Sequence, residues 1–164
     1  MRRLGEWLSF GGAARRREPP APPDVGLDFS EFQFRHGACG ADMADAERAI
    51  RRKLPRDYLD FMAAVDGGEG WLGAANYLIL FRLIDLHALN RSYQSDLFAP
   101  GLTIIGSSGG GAAYAFDHRV TPPPVVAVPW VGMCLEDVEP VAPTFVEFLQ
   151  ALAAGWEDPN GEEA

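Results

Sequence analysis

Four stretches of the chain place apolar residues at helical spacing, and four others run apolar residues together as strands. In "DMADAERAIRRKLPRDYLDFMAAVDGG", Asp42 or Asp45 can cap a helix whose inner face carries Ala46, Ala49 and Ile50. That helix must stop by Leu54, because a residue before proline disfavours the helical region. Pro55 fits the first turn of a second helix, in which Tyr58, Phe61, Met62 and Val65 form one apolar stripe and Gly67 supplies a left-handed stop. A third helix, with Asp85 as its cap, carries Leu86, Leu89 and Tyr93 on one side. The last is announced by a Thr-x-x-Glu box, Thr144 and Glu147, ahead of Phe145, Phe148, Leu149 and Leu152, with Gly155 as its stop.

"YLILFRL", residues 77–83, is apolar almost throughout and predicts a central strand covered on both faces. "LTIIG", "AAYAF" and "VVAVPW" are shorter runs separated by glycine and proline clusters, which predicts an antiparallel meander. Phe29, Phe32 and Phe34 alternate with polar residues irregularly, as in a lid or an edge. Helices, then a sheet, then a closing helix make an α+β domain: a mostly antiparallel sheet with helices packed against it. No repeat of fixed period argues for a solenoid.

With 164 residues and 48% hydrophobic content, the chain suffices for one domain with a real core. Residues 1–23 combine arginine and proline and read as a disordered arm, although Leu4, Trp7 and Leu8 would share a face if a short docking helix formed there. The domain then runs over 24–155, followed by an acidic flexible tail over 156–164. The start of the chain resembles a secretory signal, but Glu6 breaks its apolar stretch and no segment is apolar for long enough to span a membrane.

Charge changes the picture more. The net charge is −9, yet five arginines and only two acids fall in the arm, so nine bases face twenty-one acids beyond it, a charge of −12. Such a body repels phosphate backbones, which argues against direct nucleic-acid binding, and attracts a basic partner through a field that salt screens. Cys39 and Cys134 are far apart and belong to no Cys-x-x-Cys pair, so neither a disulfide framework nor a zinc site is expected, and a reduced cytoplasmic setting follows.

Candidate chemistry is sparse. "IIGSSGGGAAYAFD", residues 104–117, could cradle a phosphate, but no lysine follows the glycines and the next residues read as strand rather than helix. A tight reversal is the simpler account, and the same glycines could let a partner's backbone approach closely. His36, His87 and His118 lie apart without metal spacing, and Ser107 and Ser108 lack a nucleophile elbow. Asp57 and Asp60 fit a wet helix face, and Asp117 and His118 a turn. No catalytic residue, metal or cofactor is expected. Trp71 and Trp130 are expected in loops, either folded back on the core or presented as contact anchors. With Asp66, Glu69, Ser108, Gly109, Gly110, Asp117, Glu136 and Asp137 they make the candidate surface for gripping a basic protein.

"LPRDYLDFMAAVDGG", "LTIIGSSGGGAAYAFD", "PPVVAVPW" and "APTFVEFLQAL", in this order, resemble the SUKH superfamily of Smi/Knr-like domains from about Asp42 to Ala154. Leu54, Pro55 and Tyr58 match its helix start, Gly67 and Gly68 its post-helix turn, Gly106 and Gly109 to Gly111 its sheet turn, and Phe145 and Phe148 its last helix. The resemblance implies a strongly bent sheet packed against helices. It implies a bacterial immunity protein, a monomer or weak homo-oligomer that neutralises a cognate toxin, or alternatively a regulatory scaffold like the eukaryotic members. The arginine- and proline-rich arm departs from the pattern and leaves both open.

Overall fold

The structure, a computed structural model, describes residues 21–159. The elements are β1 (Phe32–His36), α1 (Gly40–Ile50), α2 (Arg56–Ala64), β2 (Val65–Leu72), β3 (Asn76–Leu80), α3 (Leu86–Ser92), α4 (Ser95–Phe98), β4 (Leu102–Ser107), β5 (Ala112–Asp117), β6 (Val125–Pro129), β7 (Glu139–Ala142) and α5 (Phe145–Ala153). All seven strands pair antiparallel in chain order, so the expected meander extends across the whole sheet. Register shifts interrupt the β1–β2, β4–β5 and β6–β7 ladders, and such bulges bend and twist the strands that carry them.

The main core lies on one face of this sheet. Tyr58, Phe61 and Met62 of α2 and Phe145, Phe148, Leu149 and Leu152 of α5 bury themselves against Leu72, Leu78, Leu80, Tyr114 and Phe116. Burial of each large side chain contributes about 1.5–3 kcal/mol. Edge-to-face rings join the two helices, with centroids 5.0 Å apart for Tyr58–Phe145 and 5.3 Å for Phe61–Phe145. Asp57, expected on a wet face, also ties them together, because its Oδ2 accepts the Val146 amide at 3.1 Å. Thr144 caps α5, its Oγ1 accepting the Glu147 amide at 3.3 Å. Trp156 lies against Tyr114, and its carbonyl accepts Asn76 Nδ2 at 3.0 Å.

A second, smaller core occupies the opposite face. Leu102, Ile104, Ala113, Ala115, Val126 and Val128 pack there with Ala99 and Met133, and Trp130, Leu135 and Val138 lie against them. β5 is therefore buried at all six positions.

Further local expectations need correction. Neither Asp42 nor Asp45 is the cap of α1: the helix starts at Gly40 after Cys39, and Asp42 stands in its first turn, its carboxylate accepting the Cys39 amide at 2.9 Å. Gly67 does not stop α2: the chain passes at Val65 directly into β2, and Gly67 and Gly68 lie inside that strand. They are required there by proximity as well as by φ, since a Cβ at Gly67 would stand 2.6 Å from the Leu80 carbonyl oxygen and one at Gly68 2.3 Å from that of Gln33. Trp71 accordingly lies in a strand and not a loop. The 77–83 run is strand only to Leu80 and is fully covered on one face, with Leu78 and Leu80 inward and Tyr77 and Ile79 half-buried on the other. Asp85 does stand at the N-cap of α3, but it makes no side-chain capping bond there. The expected arm lies almost entirely outside the described residues, as does the end of the expected tail.

Candidate functional site

The β2–β3 hairpin sets a register in which Glu69 stands opposite Ile79 and Trp71 opposite Tyr77. Strand periodicity puts these four side chains on one face and Leu72, Leu78 and Leu80 on the other. The inner set is covered by the helices. The outer set is left open: Trp71 is 45% exposed, its ring meeting Tyr77 edge-on at 5.4 Å, and the Tyr77 hydroxyl donates to Glu69 Oε2 at 3.2 Å. Desolvation, reinforced by the Glu69 carboxylate, raises the Tyr77 phenol above its ordinary value, so it remains a neutral donor.

The face continues onto β4, where Ser107 pairs with Ile79. Ser107 begins the reversal into β5. Its Oγ accepts the Gly109 amide at 3.1 Å and the Trp130 indole Nε1–H at 3.1 Å, while Ser108 Oγ accepts the amides of Gly110 and Ala112. Gly109 has φ +76°, and a Cβ there would come within 3.0 Å of Tyr77 Cδ1. The triple glycine is thus a sheet turn pressed against the hairpin, and β5, not a helix, follows it. Beyond it the Trp130 ring packs tilted against Tyr93, with centroids 4.2 Å apart, and Tyr93 is itself 41% exposed. A groove of about 240 Å³ runs beside the face, lined among others by Arg35, Glu69, Ile79, Arg82, Asp85 and Leu89.

The sequence of this fold settles its kinship. The model of the SMI1 / KNR4 family (SUKH-1) matches residues 37–151. The chain belongs to the SMI1 / KNR4 family. Among curated proteins, none matches it. The SUKH-1 match contains every candidate residue, whereas β1 lies wholly before it and Trp156 after it.

Within this SUKH-1 domain the candidates separate. Glu69, Trp71, Ser108, Gly109, Gly110 and Trp130 come together on the outer face or its turn. Asp66 does not: it is 4% exposed, its Oδ1 accepts the Leu83 amide at 2.9 Å, and its Oδ2 lies 3.4 Å from Arg82 Nε. Asp117 is also buried, accepting from the Arg119 amide, Nε and Nη2 at 2.8–3.0 Å. Hydrogen bonding from Arg119 holds its carboxyl below the usual range. Both are fold-making groups in positions where a surface carboxylate was expected. Glu136 and Asp137 are exposed on a short 3₁₀ turn after Trp130. There Asp137 Oδ2 accepts the Cys134 thiol at 3.0 Å, which, with burial, raises that thiol's pKa and disfavours a reactive thiolate.

Sequence reasoning missed Tyr77, Ile79 and Tyr93. The period-two pairing with Glu69 and Trp71 is the signal that finds the first two, but it becomes visible only once "DGGEGWL" is read as strand.

Proposed function

We propose that this SUKH-1 protein is a non-enzymatic immunity protein that binds and neutralises a cognate, basic toxin domain in the cytoplasm. The outer face of β2–β3 is the docking surface. The observation that carries this reading is the open cross-strand pair Trp71–Tyr77, flanked by Glu69 and set in a body of charge −12 beyond the arm.

Aromatic side chains with a polar tip make strong interface anchors, because they bury a large area at little entropic cost. Glu69 and the exposed Glu136 and Asp137 supply charges for a basic partner. The acidic body steers the encounter, giving fast association that slows as salt rises. The turn at Gly109 to Gly111 lets a partner's main chain come close, since Gly110 and Gly111 leave open space beside them. The groups on this face suit recognition: a neutral phenol, an indole and a carboxylate. Neutralisation then follows from covering the toxin's cleft, with no bond made or broken.

Co-expression with the toxin domain encoded beside the gene tests the reading. The expected result is restored growth and a complex that survives purification. Unrestored growth together with no complex for any neighbouring toxin contradicts it.

A further inference from the structure

Nine basic residues lie beyond the arm, and five of them, Arg48, Arg51, Arg52, Lys53 and Arg91, gather at one place on this acidic protein. A cleft of about 540 Å³ lies between α1 and α3, with Arg48, Arg51, Arg52 and Arg91 in its wall beside His87 and Asp96. A second hollow of about 390 Å³ shares Arg48, Arg51 and Arg52 and adds Lys53, which is paired at 2.6 Å with Glu47 in the same wall. The first volume falls in the range of sites that take small molecules.

One of these guanidiniums is built in. Arg52 Nη1 donates to the Leu102 carbonyl at 2.8 Å and to Thr103 Oγ1 at 3.1 Å, which fixes the group where the cleft meets β4. Its only carboxylate neighbour among the described residues, Asp96, is 3.5 Å away with a side chain 83% exposed, a weak pair that an anion can displace. Arg48 is paired with Asp45. No ion pair joins Arg51 or Arg91 to any described residue. The ends of α1 and α3 account for part of this charge, since cations favour helix C-termini, but each terminus carries only about half a charge against a full guanidinium. The charge of Arg52 is felt inside the protein: His118 is held down to about 4, first by burial and then by this guanidinium, with Asp117 opposing.

The geometry points to a binding site for a small diphosphate-bearing molecule in this cleft, held by Arg51 and Arg91 with Arg52 as the fixed anchor. Guanidiniums arriving from separate elements suit tetrahedral oxyanions, whose oxygens point in several directions, better than one planar carboxylate. Two linked phosphates span the two hollows across the arginines they share. This site is separate from the aromatic face and does not depend on the immunity reading.

Calorimetric titration of the full chain with inorganic pyrophosphate at low salt tests the assignment. The expected result is saturable one-to-one binding, weakened at least tenfold in the Arg51→Gln/Arg91→Gln double variant. Arg56→Gln, outside the cleft, should bind as the parent does, and malonate at equal ionic strength should not bind. Because Arg51 and Arg91 are exposed and unpaired, the double variant should melt with the parent. Absence of saturable binding, full binding by a folded double variant, or equal binding of malonate overturns the proposal.

Discussion

The indole Nε1 of Trp130 donates to Ser107 Oγ at 3.1 Å, joining the segment after β6 to the start of the glycine turn. The same oxygen accepts the Gly109 amide, so one hydroxyl positions both the turn and the indole. Ser107→Ala should therefore cost about 1–3 kcal/mol, the penalty for leaving donors unmatched at a buried position. Urea unfolding measures it. A loss below about 0.5 kcal/mol would mean that the turn holds itself.

The three glycines of the turn are not equivalent. Gly109 needs its left-handed backbone and its clearance from Tyr77, whereas a Cβ on Gly111 meets nothing within 4 Å and one on Gly110 meets only Ser108 Oγ at 3.8 Å. Gly109→Ala should cost about 1–2 kcal/mol. Gly110→Ala and Gly111→Ala should stay within about 0.5 kcal/mol of the parent. Thermal melts of the three variants check this, and equal losses at all three would contradict the assigned turn geometry.

His118 makes the fold sensitive to acid. Burial, then the charge of Arg52, lowers its folded pKa to about 4 from 6.5, with Asp117 opposing the shift. The unfolded chain then binds the extra proton in this window, so stability falls as pH drops from 6.5 towards 4, by at most about 3 kcal/mol. Asp117 adds its own loss only at lower pH, because its folded carboxyl titrates below the ordinary value. His118→Phe should flatten the slope of melting temperature between pH 6.5 and 4. An unchanged slope would place the acid sensitivity elsewhere.

What could be read from the sequence follows from what each residue type must satisfy locally. The stripe Tyr58, Phe61 and Met62, the cap at Thr144 and the turn at Gly109 were legible because periodicity, a hydroxyl three residues before an acid, and glycine before a strand each have a near-unique local cause. The segment from Asp66 to Trp71 was not. Its glycines signal a turn to any local rule, but their cause is tertiary: β1 and β3 press against β2 so closely that side chains would strike backbone. Taken locally as a turn, the segment puts Trp71 in a loop and hides its pairing with Tyr77. Asp66 and Asp117 show a related limit, since sequence gives an acid's charge but not the Leu83 amide or the Arg119 guanidinium that takes it inside.

The arginine-rich arm separates immunity from a regulatory role. A chain lacking residues 1–23 should protect against the toxin as the full chain does, because the proposed docking face, on β2, β3, the turn beyond β4 and the segment after β6, lies outside the arm. Growth rescue under matched expression measures this. Loss of protection by a folded, truncated chain would favour a scaffold that docks through its arm.

The most direct measurement compares the toxin domain's affinity for the parent and for Trp71→Ala. Trp71 is exposed, so the variant should fold normally. Its affinity should fall by about 2 kcal/mol or more, roughly thirtyfold, as for a central interface anchor. Equal affinity in a folded Trp71→Ala protein would contradict the claim that the open face of β2–β3 is where the partner binds.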